Sequence, residues 1–210
     1  MNACTDGLQT FNRESYGKSE NRGTFDKQLY FQEKTNLVQS TKVKHLVGVA
    51  DMKISLSKED EIVTYALGSC LGITVYDPVG QIGAMAHVML PSSTIDRVKA
   101  GSNPCIFVDS GVKKLFWDAY RAGAVRSRLI VTAAGGACAN GLEQDDYFQI
   151  GKRNVTILRN LLWKNGIILK NCDFGGNLAR TMSLNINSGE VLIRANGSVR
   201  VLSASGGGRP

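Results

Sequence analysis

The chain has 210 residues, 43% hydrophobic and 20% charged, which predicts one domain with appended segments and excludes both a disordered chain and a collagen-like one. Its longest apolar runs, such as Leu71–Tyr76, fall far short of the roughly 20 residues that a membrane-spanning helix needs. The first residues lack the apolar stretch behind a basic one that marks a secretory signal, so cytoplasmic residence and no membrane insertion are expected. The net charge of +7 sits in the second half, where residues 97–210 hold 16 Lys and Arg against 7 Asp and Glu. That excess suits an acidic protein partner; with no helix-turn-helix, zinc-finger or RNP-type aromatic signature, no nucleic-acid partner is expected.

Residues 1–45 are polar, of mixed charge and without sustained periodicity, and are read as a flexible extension in which QLYFQEK forms a short ordered piece. The domain itself spans residues 46–202. HLVGVADMKISLS predicts its first strand. EIVTYALG, LGITVYD and QIGAMAHVML follow as β-rich runs, broken by Gly68-Ser69 and by the turn Asp77-Pro78-Val79-Gly80. Val112, Leu115, Phe116, Ala119 and Tyr120 mark one face of a helix, capped by Asp109 or Ser110 and ended by Gly123. SRLIVTAA reads as a strand entering the Gly135-Gly136 turn. A second helix covers 151–165, with Val155, Leu158 and Leu162 on one stripe and Gly166 past its end. GIILKNC, ARTMSLNI and GEVLIRA read as closing strands, and residues 203–210 as a small-residue, disordered tail. The pattern predicts an α+β fold, a mixed β-sheet layered with helices in a single domain.

Five cysteines, Cys4, Cys70, Cys105, Cys138 and Cys172, are scattered singly, and the two histidines are His45 and His87. No spacing resembles a metal knuckle, so no metal site is expected, and a core of this size needs no disulfide framework. One cysteine stands apart. In Thr64-Tyr65-Ala66-Leu67-Gly68-Ser69-Cys70 a strand runs into Gly68 and Ser69 and then presents Cys70. A bend of this kind projects a thiol from a sheet end, with backbone N–H groups around Gly68, Ser69 and Cys70 near enough to hold an oxyanion. The Asp77–Gly80 turn folds the following strand back so that His87 returns to the neighbourhood of Cys70. Imidazole titrates near neutrality and takes the proton of a thiol that is only a few per cent ionised at pH 7. Thr64 supplies a hydroxyl to orient the ring. The other four cysteines lack such a setting and read as filling positions.

VGVADMKIS, VTYALGSCLGITVYDP, IGAMAHVMLPSS, AAGGA, IGKRNV and DFGGNLARTMSLNINSGEVLI, in this order from about residue 46 to 194, closely resemble the bacterial chemoreceptor glutamine deamidase family, CheD. The resemblance implies a cysteine-hydrolase fold related to toxin deamidases. It implies conversion of glutamines to glutamates on the cytoplasmic helices of methyl-accepting chemotaxis receptors, without metal or organic cofactor. In some bacteria it also implies binding to a CheC-type phosphatase of the phosphorylated response regulator. The family's catalytic cysteine, histidine and threonine fall on Cys70, His87 and Thr64. The chain departs from its relatives at Cys105-Ile106-Phe107-Val108-Asp109, where they carry a Tyr-Ala-Asp type segment, and the N-terminal extension lies outside the resemblance. Two other classes of function remain at this stage: a regulatory binding module docking a phosphatase or receptor with an idle triad, and a thiol redox sensor built on Cys70.

Overall fold

The two hairpin strands that bracket the Asp77–Gly80 turn are buried along their whole length. All seven residues of β4 (Leu71–Asp77) and all seven of β5 (Ile82–Val88) are inaccessible to solvent. Continuous apolar runs such as Leu-Gly-Ile-Thr-Val-Tyr and Ile-Gly-Ala-Met-Ala, with no polar residue on alternate positions, require cover on both faces, and the fold supplies it as a second sheet on one side and helices on the other.

The computed structural model describes residues 43–138 and 147–203. The readings made for most of the N-terminal extension, including QLYFQEK, and for residues 204–210 lie outside the described residues. The central sheet runs β2-β5-β4-β6-β7, with β2 (Asp51–Ser55), β6 (Ile130–Gly135) and β7 (Leu169–Phe174). Only its β6–β7 pair is parallel. The outer sheet runs β1-β3-β8-β9-β10, with β1 (Lys44–Val47), β3 (Glu61–Leu67), β8 (Arg180–Asn185), β9 (Val191–Ala195) and β10 (Ser198–Ser203). Here only β1–β3 is parallel. A short helix α1 (Arg97–Ser102) and a 3₁₀ turn at Pro104–Ile106 precede α2 (Val108–Arg121); α3 (Ile150–Lys164) connects β6 to β7.

Two apolar clusters fill the spaces between the layers. Between the sheets lie Ile62, Leu67, Tyr76, Met85, Met182, Leu184, Ile186, Val191 and Ile193. Between the central sheet and the helices lie Leu71, Ile73, Val75 and Val88 against Val112, Leu115, Phe116, Leu158, Leu161 and Leu162. Truncating a buried leucine or phenylalanine here to alanine costs about 2–5 kcal/mol, because the cavity left behind collapses only partly. Tyr76 adds a polar tie, its phenol donating to the Ile186 carbonyl at 3.0 Å.

The α+β class and the helices packed on a mixed sheet are as expected, and α2, α3 and the closing strands β7, β8 and β9 fall where the periodicity puts them. Three expectations change. HLVGVADMKISLS is two strands, not one: the chain turns at Gly48–Ala50, with Ala50 at φ 55°, and β1 and β2 enter different sheets. Asp109 and Ser110 do not cap α2. Phe107 occupies that position with no side-chain cap, and Asp109 in the first turn accepts the Ser93 backbone N–H at 2.8 Å and the hydroxyls of Ser92 and Ser93, which pins the loop leaving β5. A last strand, β10, pairs with β9 across Asn196-Gly197, both at positive φ, the hairpin-turn dipeptide whose backbone matches the twist of the strands.

Candidate active site

Thr64 and His87 come from one strand of each sheet and meet between them, and Cys70, one residue before β4, packs against the same inter-sheet layer. Gly72 pairs with His87 and Leu71 with Val88 in the β4–β5 ladder. Cys70 lies two residues from Gly72, so it emerges on the same face of the sheet. That face is the one turned toward the outer sheet: a Cβ on Gly72 would run into Leu67 and Met182, and Cys70 itself packs against the inter-sheet cluster. His87 projects the same way and meets Thr64 of β3. Cys70 is thus the diagonal cross-strand neighbour of His87, the relation that lets side chains interact on one face of an antiparallel pair. His87 and Thr64 are fully buried, whereas Cys70 keeps partial access to solvent.

The hydrogen bonds decide the state of the ring. Thr64 Oγ1 donates to the Val47 carbonyl at 2.9 Å and lies 2.8 Å from His87 Nδ1. A hydroxyl has a single proton. With that proton given to Val47, Oγ1 accepts from Nδ1–H, so in the neutral ring Nδ1 carries the proton and Nε2 holds the free lone pair. Nε2 is buried without a hydrogen-bond partner. Burial also lowers the His87 pKa below the ordinary imidazole value, because the charged ring loses its water. Burial raises the pKa of the Cys70 thiol, and its own backbone N–H, turned toward the sulfur, works in the opposite direction. Both shifts favour the neutral form of each group at neutral pH.

Two local devices aim these groups. In β3, Thr64 pairs with Met182 but Leu67 with Arg180, so Tyr65-Ala66 bulge out of the ladder with Ala66 at φ 57°. The extra residue lets Thr64 and Leu67 both face inward. Behind Cys70, the turn at Gly135–Ala137 grips the backbone: Gly136 N–H donates to the Cys70 carbonyl at 2.9 Å and Ala137 N–H to the Gly68 carbonyl at 2.8 Å. Gly135 sits at φ 119°, and a Cβ there would stand 2.1 Å from the Cys70 carbonyl oxygen, so only glycine fits. The Gly68 N–H is engaged with the Ala66 carbonyl at 2.9 Å. Of the N–H groups at this bend, that of Gly68 is thus already engaged, and that of Cys70 is turned toward its own sulfur.

The sequence reading passed over Asn154. It lies on α3, fully buried, and its Nδ2 donates to the Ser69 carbonyl at 2.9 Å and the Met89 carbonyl at 2.8 Å. A polar residue four positions before Leu158, on the apolar stripe, was the available signal. Of the other cysteines, Cys105 is buried, its thiol pushed up to about 11 chiefly by that burial, and Cys172 is exposed. Among the described residues no group of three or more His, Cys, Asp or Glu is placed to hold a metal, and no helix is long and apolar enough to cross a membrane.

A layered α+β domain that sets a thiol, an imidazole and an orienting hydroxyl at one end of its sheets has the parts of a cysteine hydrolase. Comparison with known proteins narrows the class. Residues 89–195 match the family described as CheD chemotactic sensory transduction; Cys70 and His87 precede that stretch. A probable chemoreceptor glutamine deamidase CheD of Solibacter usitatus is 45% identical over 160 residues, covering 76% of this chain and 94% of the relative. Similar proteins of Syntrophus aciditrophicus and Desulforamulus reducens are 38% and 39% identical, covering 72% of this chain and 94% and 90% of their own lengths. The chain belongs to the CheD family.

Proposed function

We propose that this protein hydrolyses the side-chain amide of selected glutamines on chemoreceptors to the carboxylate, releasing ammonia, with Cys70 as nucleophile, His87 as general base and acid, and Thr64 as the group that orients the ring. The observation that carries the reading is the Thr64–His87 hydrogen bond, which leaves Nε2 unprotonated and without a hydrogen-bond partner. Family membership supplies the substrate class. The cytoplasm, where receptor signalling helices lie, is the corresponding location.

The steps follow from these groups. His87 Nε2 takes the Cys70 proton as the sulfur attacks the amide carbon. The carbonyl oxygen becomes an oxyanion, held by the N–H groups of Ser69 and Cys70; one such donor contributes about 3 kcal/mol to the transition state. The imidazolium returns its proton to the amide nitrogen, the C–N bond breaks, and ammonia leaves. The thioester that remains is hydrolysed by water deprotonated by His87, and the thiol is restored. Glutamine and water become glutamate and, once the released ammonia takes up the acid's proton, ammonium.

A binding module that docks a CheC-type phosphatase needs none of this apparatus, so such docking is an addition to the chemistry and not a substitute for it. A redox sensor calls for an exposed, low-pKa thiol, and burial raises that of Cys70. The test is mass spectrometry of a chemoreceptor cytoplasmic fragment incubated with the protein. Each converted site gains roughly 1 Da, the amide-to-acid difference expected of hydrolysis. Cys70→Ala abolishes the gain and the ammonia while the fold persists. Conversion by Cys70→Ala at the wild-type rate would end this reading.

A further inference from the structure

Asn154 is a polar side chain where the helix pattern asks for an apolar one. Its neighbours on the buried face of α3 are Leu158, Leu161 and Leu162, and its Oδ1 is buried without a hydrogen-bond partner. An unpaired buried acceptor is a cost that an apolar residue at this position would avoid. What the amide contributes in return is its pair of donor bonds, to Ser69 O at 2.9 Å and Met89 O at 2.8 Å. Those two carbonyls belong to different strands' ends. Ser69 immediately precedes Cys70, and Met89 is two residues beyond His87.

We propose that Asn154 is the positioning residue of this site: by holding the Ser69 and Met89 carbonyls at one side-chain amide, it sets the spacing between the Cys70 thiol and the His87 imidazole. The proposal rests on the reading of Cys70 and His87 as the reacting pair. Asn154 is enclosed, lying under the central sheet on the helix side while the thiol and imidazole face the other sheet, so it acts through the backbone and does not meet substrate. The α3 backbone can come this close because Gly151, one turn earlier, abuts the carbonyls of Gly136 and Ala137; a Cβ there would be 2.6 and 2.7 Å from their oxygens. The α3 helix therefore supports the Cys70 loop twice, once through the Gly135–Ala137 turn and once through Asn154.

The test compares wild type with Asn154→Leu, which fills similar space and cannot donate, and Asn154→Asp, whose buried carboxyl, when protonated, can donate to only one of the two carbonyls. Two readouts are taken: kcat and KM for deamidation of a chemoreceptor cytoplasmic fragment, and the pH profile of Cys70 alkylation by iodoacetamide, followed by mass spectrometry. A spacing role lowers kcat at least about tenfold with KM little changed, since small misplacements of reacting groups act on the chemical step. It also moves the alkylation profile toward that of His87→Ala. Folded variants with wild-type kcat and an unchanged profile overturn the proposal. If neither variant folds, NMR of the wild type decides: Asn154 side-chain amide protons that are protected from exchange and shift when Cys70 is alkylated support it, and protons exchanging as in a solvent-exposed asparagine refute it. Alkylation needs no receptor, so wild-type protein that fails to deamidate would sink the functional reading while leaving the Asn154 test in force.

Discussion

Thr64 and His87 lie in different sheets, yet their side chains are 2.8 Å apart in a fully buried contact. The bond joins the β3 strand of the outer sheet to the β5 strand of the central one and also sets the tautomer of the ring. Without it, either ring nitrogen is free to carry the proton, and Nε2 loses its lone pair to a proton in part of the population.

Thr64→Val tests that relationship directly. Valine preserves the volume but leaves His87 Nδ1 and the Val47 carbonyl without the hydroxyl. The expected result is a fall in kcat of about 10- to 100-fold, no more than the lower end of the roughly 10²–10⁴-fold that general acid–base catalysis contributes, with KM nearly constant. A variant as active as wild type would show that the ring needs no orienting group.

The pH dependence follows from the two shifts. The His87 pKa is lowered by burial, so this ring, the proposed base, stays neutral until the pH falls below the ordinary imidazole value of about 6.5. The acid limb of kcat/KM should therefore have its midpoint below that value. The raised Cys70 pKa delays thiol ionisation beyond its usual range. The same His87 shift bears on stability: the unfolded chain binds the proton first, so stability is constant at high pH and declines as the pH drops through the unfolded value toward the folded one. Denaturant melts between pH 5 and 8 check the sign, and His87→Gln should flatten this part of the curve.

Gly135→Ala places a methyl group 2.1 Å from the Cys70 carbonyl oxygen at a backbone φ of 119°. Strain of this kind costs on the order of 2–4 kcal/mol. Because the obstacle is the backbone of Cys70, the proposed nucleophile, the remaining folded protein should also lose activity. A calorimetric melt together with an ammonia assay reads both effects; an alanine variant with unaltered melting temperature and rate contradicts the close approach.

Asp77 and Arg128 make the prediction farthest from the site. Burial alone would raise the Asp77 carboxyl. The Arg128 guanidinium, at 2.6 Å, and the backbone N–H groups of Val125, Gly80 and Val79 outweigh it and hold the pKa at about 2. A depressed carboxylate contributes stability that is complete above its unfolded value of 3.8 and is lost as the pH falls toward about 2. Arg128→Leu should move acid unfolding to higher pH and lower the melting temperature at pH 7 by several degrees, measured by circular dichroism.

Much of this arrangement is written locally in the chain. The bend at Gly68-Ser69, the return at Asp77–Gly80 and the unbroken apolar runs of β4 and β5 place Cys70 and His87 in one hairpin. The ladder between them follows because short-range turns fix antiparallel register. The stripe of α3 and its Gly166 stop were equally readable, and Asn196-Gly197 announced the β9–β10 hairpin to any closer reading. Sheet membership was not readable. Whether β1 joins β2 or leaves it, and whether β3 lies beside β4 or above it, depends on which apolar faces find each other over long separations, and hydrophobic burial carries no label of its partner. The Thr64 contact and the two Asn154 bonds come from that choice. A threonine in a strand and an asparagine in a helix look ordinary until packing brings an imidazole to one and two backbone carbonyls to the other.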